Sequence, residues 1–163
     1  MKVLKYEERQ LELISQIREY LDELELLCDS KHNPTNEPDY TKLELWVDGG
    51  SKGNPGLGYG SYAFGDIAEY KIEFGDNLTN NEAEYLALIE GLNAVHNNGN
   101  IARIDLIAKT DSALVANQLM GKWAVKADNI REMFKKAKWW LVQFHTWRIE
   151  YVPRRDIELV LGH

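Results

Sequence analysis

Three acidic residues that lie far apart in the chain occupy positions from which their carboxylates could act together. Asp48 follows a stretch at 43–47 in which apolar residues alternate, the pattern of a half-buried strand, and Asp111 follows a second predicted strand at 102–110. Glu84 lies on the apolar face of a predicted helix between them. If the two strands are neighbours, the three carboxylates meet at one edge of a sheet. Like charges that lie so close persist together only when a cation neutralises them.

The all-oxygen character of this set indicates which cation it would hold. Carboxylates suit Mg²⁺ or Mn²⁺ better than Zn²⁺. Two such ions, held about 4 Å apart, serve the in-line displacement of a phosphoryl oxygen, because one activates a water and the other stabilises the leaving oxygen. The three acids therefore predict a phosphoryl-transfer site that uses two Mg²⁺ or Mn²⁺ ions.

The elements around these acids predict an α/β fold with a mixed five-stranded sheet. Strands at 43–48, 58–64 and 69–74 read as an antiparallel meander, and the glycine-rich segment 49–56 is expected to break regular structure completely. Thr79 and Glu82 form a capping box that starts a helix at 80–96. Further elements are the strand at 102–110, helices at 112–120 and 128–144, and a strand at 146–152. The predicted order is βββαβαβ flanked by helices, with little chain left for a last helix.

The first 40 residues differ from the rest of the chain. Residues 3–28 read as an amphipathic helix, and 29–41 read as a linker with two prolines and no periodicity. This pattern predicts a helix and linker at 1–40 and a catalytic domain at 41–163. The helix is expected to pack on its own domain, to self-associate or to bind an unknown protein.

Composition narrows the cellular setting. The 163 residues contain one cysteine, so no internal disulfide can form, and a reducing cytoplasm is expected. No apolar run approaches the roughly 20 residues of a membrane span. The net charge of −7 argues against nucleic acid as a partner, yet residues 1–40 carry 10 acidic and 5 basic side chains. The remaining chain is nearly neutral, and its basic residues between 122 and 138 could form a local positive face.

Three segments resemble a known family. VDGGSKGNPG, TNNEAEYLAL and KTDSALV are similar to the three central motifs of type 1 ribonuclease H, ribonuclease HI, and the likeness spans roughly residues 43–156. One such motif alone would be weak, but the three in this order are specific. The resemblance implies a ribonuclease H-like fold and two-metal cleavage of the RNA strand of RNA–DNA hybrids. It also implies that Asp48, Glu84 and Asp111 are the metal ligands.

The resemblance further implies where the hybrid would bind. One group would line the approach of the RNA strand and read its 2′-hydroxyls, which distinguish RNA from DNA. A second group would contact the hybrid backbone at a helix N-terminus, where N–H groups favour phosphate. The first group comprises Ser51, Gly53 and Asn54, and the second comprises Thr79, Asn80 and Asn81.

The chain departs from the family pattern at its last residues. Family members usually carry a fourth acid on a final helix, but the matching register here falls on Val160 or Leu161. Three alternatives stay open. Asp156 or Glu158 could supply the missing ligand from a shifted position, His163 could replace it, or the position could lack a ligand, so that the second metal binds weakly.

These observations leave a metal-dependent hybrid nuclease as the main hypothesis. The first alternative is a weakly active or inactive hybrid-binding domain of the same fold that lacks the fourth acid. The second is a recombinase-like nuclease that acts on DNA, because the same carboxylate geometry serves both reactions.

Removing residues 1–40 tests the predicted division of the chain. We expect hybrid cleavage to stay largely intact, because the predicted helix carries too little positive charge to bind phosphates. Cleavage rate and hybrid affinity of the shortened and full chains measure this. A large loss of affinity would instead show that the segment is a substrate-binding arm.

Overall fold

A computed structural model describes residues 39–162 of the chain. The predicted helix at 3–28, nearly all of the predicted linker and His163 lie outside these residues. None of the helices in the described part is long and apolar enough to cross a membrane.

The described residues form five strands and three α-helices in the predicted order, followed by a fourth α-helix that the sequence did not predict. The strands are β1 (Thr41–Gly53), β2 (Gly56–Phe64), β3 (Ile67–Leu78), β4 (Ile104–Thr110) and β5 (Thr146–Tyr151). The helices are α1 (Asn80–Asn98), α2 (Ala113–Leu119), α3 (Asp128–Leu141) and α4 (Arg154–Leu161), and a 3₁₀ turn at Ile101–Arg103 precedes β4.

The five strands form one mixed sheet in the order β3-β2-β1-β4-β5. The pairs β1–β2 and β2–β3 are antiparallel, and the pairs β1–β4 and β4–β5 are parallel. Because β1 and β4 are parallel neighbours, residues near their C-terminal ends share one edge of the sheet. The mixed five-stranded fold is therefore confirmed, including the neighbouring strands on which the convergence of the acids depended.

The glycine-rich segment does not break the structure, and this prediction was wrong. β1 continues past Asp48 to Gly53, and its ladder with β2 runs to the pair Gly53–Gly56, so only Asn54 and Pro55 form the turn. Glycine has a low intrinsic preference for strands, but pairing with a neighbouring strand can override it. Asp48 is thus followed by a hairpin rather than a loose loop.

Helices cover both faces of the sheet. Leu45 and Val47 face a large core that includes Tyr85 and Leu88 of α1 and Leu141 of α3. Side chains alternate along a strand, so the residues between them face the other way. On that second face Trp46 and Ala63 pack against two buried residues of α4, which are Ile157 and Leu161.

The last helix was not predicted because it is short and its sequence lacks a capping residue at the N-terminus. α4 spans eight residues, and Pro153 at its N-cap makes no side-chain capping bond. The available signal was the pair Ile157 and Leu161, whose four-residue spacing places both on one helical face. Gly162 then ends the helix with φ of +74°, and its N–H donates to the Glu158 carbonyl at 2.8 Å.

Gly49 of β1 packs against the backbone of α1, and replacing it tests the packing that holds the site. A Cβ at this position would lie 2.3 Å from the carbonyl oxygen of Ala83. We expect Gly49→Ala to lower the free energy of unfolding by about 1–3 kcal/mol, because backbone rather than a flexible side chain must move. Urea denaturation measures the change.

Gly99→Ala provides the matched control, since a Cβ there would meet Ile104 at an ordinary 3.8 Å. Equal stability of both variants would contradict the close helix–strand packing.

Candidate active site

The structure brings the three predicted acids together. Each of Asp48, Glu84 and Asp111 offers a carboxylate oxygen, and these oxygens all lie within 4.8 Å of one another. Asp48 lies in the central strand β1 and is only 2% exposed, and Asp111 directly follows β4. The parallel pairing of these strands places the two aspartates side by side.

Glu84 reaches the group from the first turns of α1. The helix start is fixed by the predicted capping box, in which the Thr79 N–H donates to Glu82 Oε2 at 2.8 Å and the Thr79 hydroxyl accepts from the Glu82 N–H at 3.3 Å. Since Gly49 has no side chain, α1 approaches β1 closely, and the Gly49 N–H donates to Glu84 Oε2 at 3.3 Å. Cap and glycine together set the position of the third carboxylate.

The acids repel one another in a dry environment. Burial raises the pKa of Glu84 well above its usual range, and the negative charges of Asp48 and Asp111 raise it further. Asp111 Oδ1 is buried and has no hydrogen-bond partner among the described residues. A buried acceptor without a partner is costly, and a bound cation would satisfy it. The three side chains therefore fit a divalent ion that prefers oxygen ligands.

The sequence did not single out Arg154, which also belongs to this site. Its Nη1 donates to Asp48 Oδ1 at 2.8 Å and to Asp111 Oδ2 at 3.1 Å, and its Nε donates to Glu158 Oε1 at 3.3 Å. It is the first residue of α4 and follows Val152 and Pro153, which connect β5 to this helix. Because α4 itself was not predicted, no sequence pattern showed that this arginine would reach the acids.

No acid of α4 joins the group in the described part of the chain. Asp156 was predicted as a fourth metal ligand, but its Oδ1 accepts from Arg155 Nε at 3.2 Å, away from the cluster. Ile157 and Leu161 occupy the sheet-facing side of the helix, and Leu161 is 2% exposed. The register of the family's fourth acid thus falls on buried Leu161 or on Val160, and neither carries a ligand atom.

The residues predicted to bind substrate form a hydrogen-bonded link between the hairpin and α1. The Ser51 N–H donates to Asn80 Oδ1 at 2.8 Å, and the Asn80 N–H donates to Asn54 Oδ1 at 3.1 Å. The Ser51 hydroxyl donates to the carbonyl of Gly53. The hairpin tip and the helix N-terminus are therefore held as one surface beside the acids.

Asn81 lies at a different part of the surface. It lines an open cavity of about 590 Å³ together with Lys122, Trp123 and Lys126. The indole of Trp123 is half exposed. This cavity places two basic side chains and an aromatic ring near the start of α1.

Comparison with known proteins identifies related sequences. A family model described as reverse transcriptase-like matches residues 66–160. A ribonuclease HI of Halobacterium salinarum is 35% identical over 121 residues, which are 72% of this chain and 59% of that protein. A bifunctional protein of Mycobacterium tuberculosis is 37% identical over 119 residues, which are 69% of this chain and 32% of that protein. The match thus covers about a third of the length of the Mycobacterium protein and about three fifths of the length of the Halobacterium protein.

Solved structures agree with the sequence matches. RNase H1 from Halobacterium salinarum superposes with a TM-score of 0.67 at 34% identity, covering 74% of this chain and 94% of that one. LC11-RNase H1, solved in complex with an RNA/DNA hybrid, superposes with a TM-score of 0.65 at 25% identity, covering 70% and 87%.

Neutralising Glu84 tests the electrostatic strain of the metal-free site. The pKa of Glu84 is higher in the folded protein than in the unfolded chain. At a pH above the ordinary carboxyl pKa, the folded protein therefore keeps a proton on Glu84 that the unfolded chain has lost. Stability contributed by the protonated form is present at low pH and is lost as the pH rises through the raised pKa. We expect Glu84→Gln to raise the melting temperature of metal-free protein at pH 8 and to change it little at pH 4.

The control is Glu132→Gln, because Glu132 is exposed on α3 and pairs with Lys135 outside the acidic cluster. Both variants are measured at pH 8 with chelator present. If Glu84→Gln melts at a lower temperature than the unmodified chain, ionised Glu84 does not destabilise the metal-free protein, and the prediction is contradicted.

Proposed function

This chain belongs to the ribonuclease HI family, and from that premise we propose that it cleaves the RNA strand of RNA–DNA hybrids. The observation that carries the proposal is the convergence of Asp48, Glu84 and Asp111 within 4.8 Å, next to a surface of small and amide-bearing residues. A related ribonuclease H1 has been solved with such a hybrid, which supports this substrate class.

Asp48, Glu84 and Asp111 would hold the catalytic metal, and we propose Mg²⁺ or Mn²⁺ because all three ligands are carboxylates. When bound, such an ion stabilises charge on the phosphate oxygens and lowers the pKa of a water molecule. The chain contributes a rigid frame: Gly49 fixes Glu84 against β1, and the strand pair fixes the two aspartates. Positioning of this kind accounts for much of catalysis at phosphorus.

The hairpin and the start of α1 would bind the hybrid. The glycines of Gly49–Gly53 would let a nucleic acid backbone approach, and the Ser51 hydroxyl would contact a 2′-hydroxyl of the RNA strand. The N-terminus of α1, with Thr79 and Asn80, favours phosphate. Lys122, Trp123 and Lys126 would contact the second strand through charge and stacking.

A hybrid-binding domain with little turnover is the second candidate. The resemblance places a fourth acid at Val160 or Leu161, and Leu161 is buried and apolar. This observation favours the second candidate, because a site with fewer ligands binds metal more weakly. We also retain the cytoplasm as the proposed location, on the strength of the single cysteine, and a domain boundary near residue 40.

Cleavage of a labelled RNA–DNA duplex with Mg²⁺ or Mn²⁺ tests the proposal. We expect RNA-strand products, no cleavage of a DNA duplex of the same sequence, and loss on addition of chelator. Asp48→Asn should lower the rate by at least about 100-fold, because it removes a charged ligand and not merely an outer contact. Asp66→Asn, at an exposed turn, should cleave like the unmodified chain.

The alternatives give different results in the same experiment. Tight hybrid binding without products would identify a binding domain, and cleavage of the DNA duplex would identify a DNA nuclease. Equal rates for Asp48→Asn and Asp66→Asn would contradict the assignment of the active site.

A further inference from the structure

Arg154 lies where a cation is required. Its guanidinium bridges Asp48 and Asp111 with two hydrogen bonds, of 2.8 and 3.1 Å, while the side chains of these aspartates are 3% and 11% exposed. A charge-assisted bond to a buried carboxylate is among the stronger polar contacts in proteins. An arginine side chain stays charged under all ordinary conditions, so this positive charge is permanent.

The helix α4 holds Arg154 in this place. Ile157 and Leu161 anchor the helix to the sheet, and Glu158, one turn after Arg154, accepts from its Nε at 3.3 Å. The guanidinium therefore has acidic partners on two sides. The contact is a consequence of how α4 packs, rather than of one flexible surface side chain.

The formal charges of the site indicate how many ions it can neutralise. The three clustered carboxylates, when ionised, and the guanidinium leave a formal charge of −2, which one divalent ion balances. Glu158 also contacts the guanidinium, but its side chain is half exposed, so solvent screens its charge. Two divalent ions would leave an excess of positive charge at short distance, and close like charges in a poorly solvated site are unfavourable. The hydrophobic Leu161 adds no ligand that could offset this excess.

We propose that Arg154 takes the place of a second cation, so that this site binds one divalent ion rather than two. The inference rests on the proposed function, because it concerns the same carboxylates. Arg154 is then a positioning residue that keeps Asp48 and Asp111 together. The buried Asp111 Oδ1, which Arg154 does not contact, is the acceptor left for the ion.

Calorimetric titration with Mn²⁺ tests this inference without any measurement of cleavage. We expect one equivalent for the unmodified chain. Arg154→Gln should bind its first ion about tenfold more tightly or better, because a neighbouring positive charge has been removed. Arg154→Glu supplies a fourth carboxylate and should bind two equivalents.

Arg155→Gln is the matched control, because Arg155 is the next residue, is largely exposed and pairs with Asp156 outside the cluster. It should titrate like the unmodified chain. Circular dichroism of each metal-free variant confirms that the chain remains folded, and Arg154→Gln, which introduces no new charge, keeps the test decisive if Arg154→Glu does not fold.

Two equivalents for the unmodified chain, or an affinity of Arg154→Gln no higher than that of Arg155→Gln, would overturn the inference. The proposed function fails separately. A chain that binds one Mn²⁺ and responds to Arg154→Gln as expected, yet leaves the hybrid intact, would retain the inference and lose the nuclease activity.

Discussion

Three carboxylates gathered at one edge of the sheet are the constraint on which the rest of this structure depends. Asp48 is almost fully buried, Glu84 and Asp111 lie beside it, and one acceptor oxygen of Asp111 has no partner in the described part of the chain. Without a bound cation these three carboxylates destabilise the folded protein, because burial and the neighbouring negative charges both oppose their ionisation. A site retained at this cost is characteristic of function rather than of stability.

The elements around the acids serve to place them. The parallel pair β1–β4 aligns the two aspartates, and the close approach of α1 at Gly49 brings in the glutamate. On the second face α4 contributes apolar residues to a small core and a guanidinium to the acids. The eight residues of α4 therefore both cover the second face of the sheet and bring a positive charge to the acids.

Sequence patterns predicted most of what depends on local spacing. Alternation predicted the strand that carries Asp48, the capping box predicted the start of α1, and the three motifs indicated the family. The short helix α4 was not predicted, and neither were two further features. The hairpin at Gly49–Gly53 depends on pairing with β2, which overrides the poor strand preference of glycine. The contact of Arg154 with Asp48 joins residues 106 positions apart, and no local periodicity reports such a contact.

Anomalous diffraction from crystals of the full chain grown with Mn²⁺ is the most direct measurement of the central claim. We expect a manganese peak within coordination distance of Asp48, Glu84 and Asp111, on the side of the carboxylates that Arg154 does not occupy. Manganese bound elsewhere while these three side chains remain together without an ion would contradict the account, because the acids would then have no metal to hold.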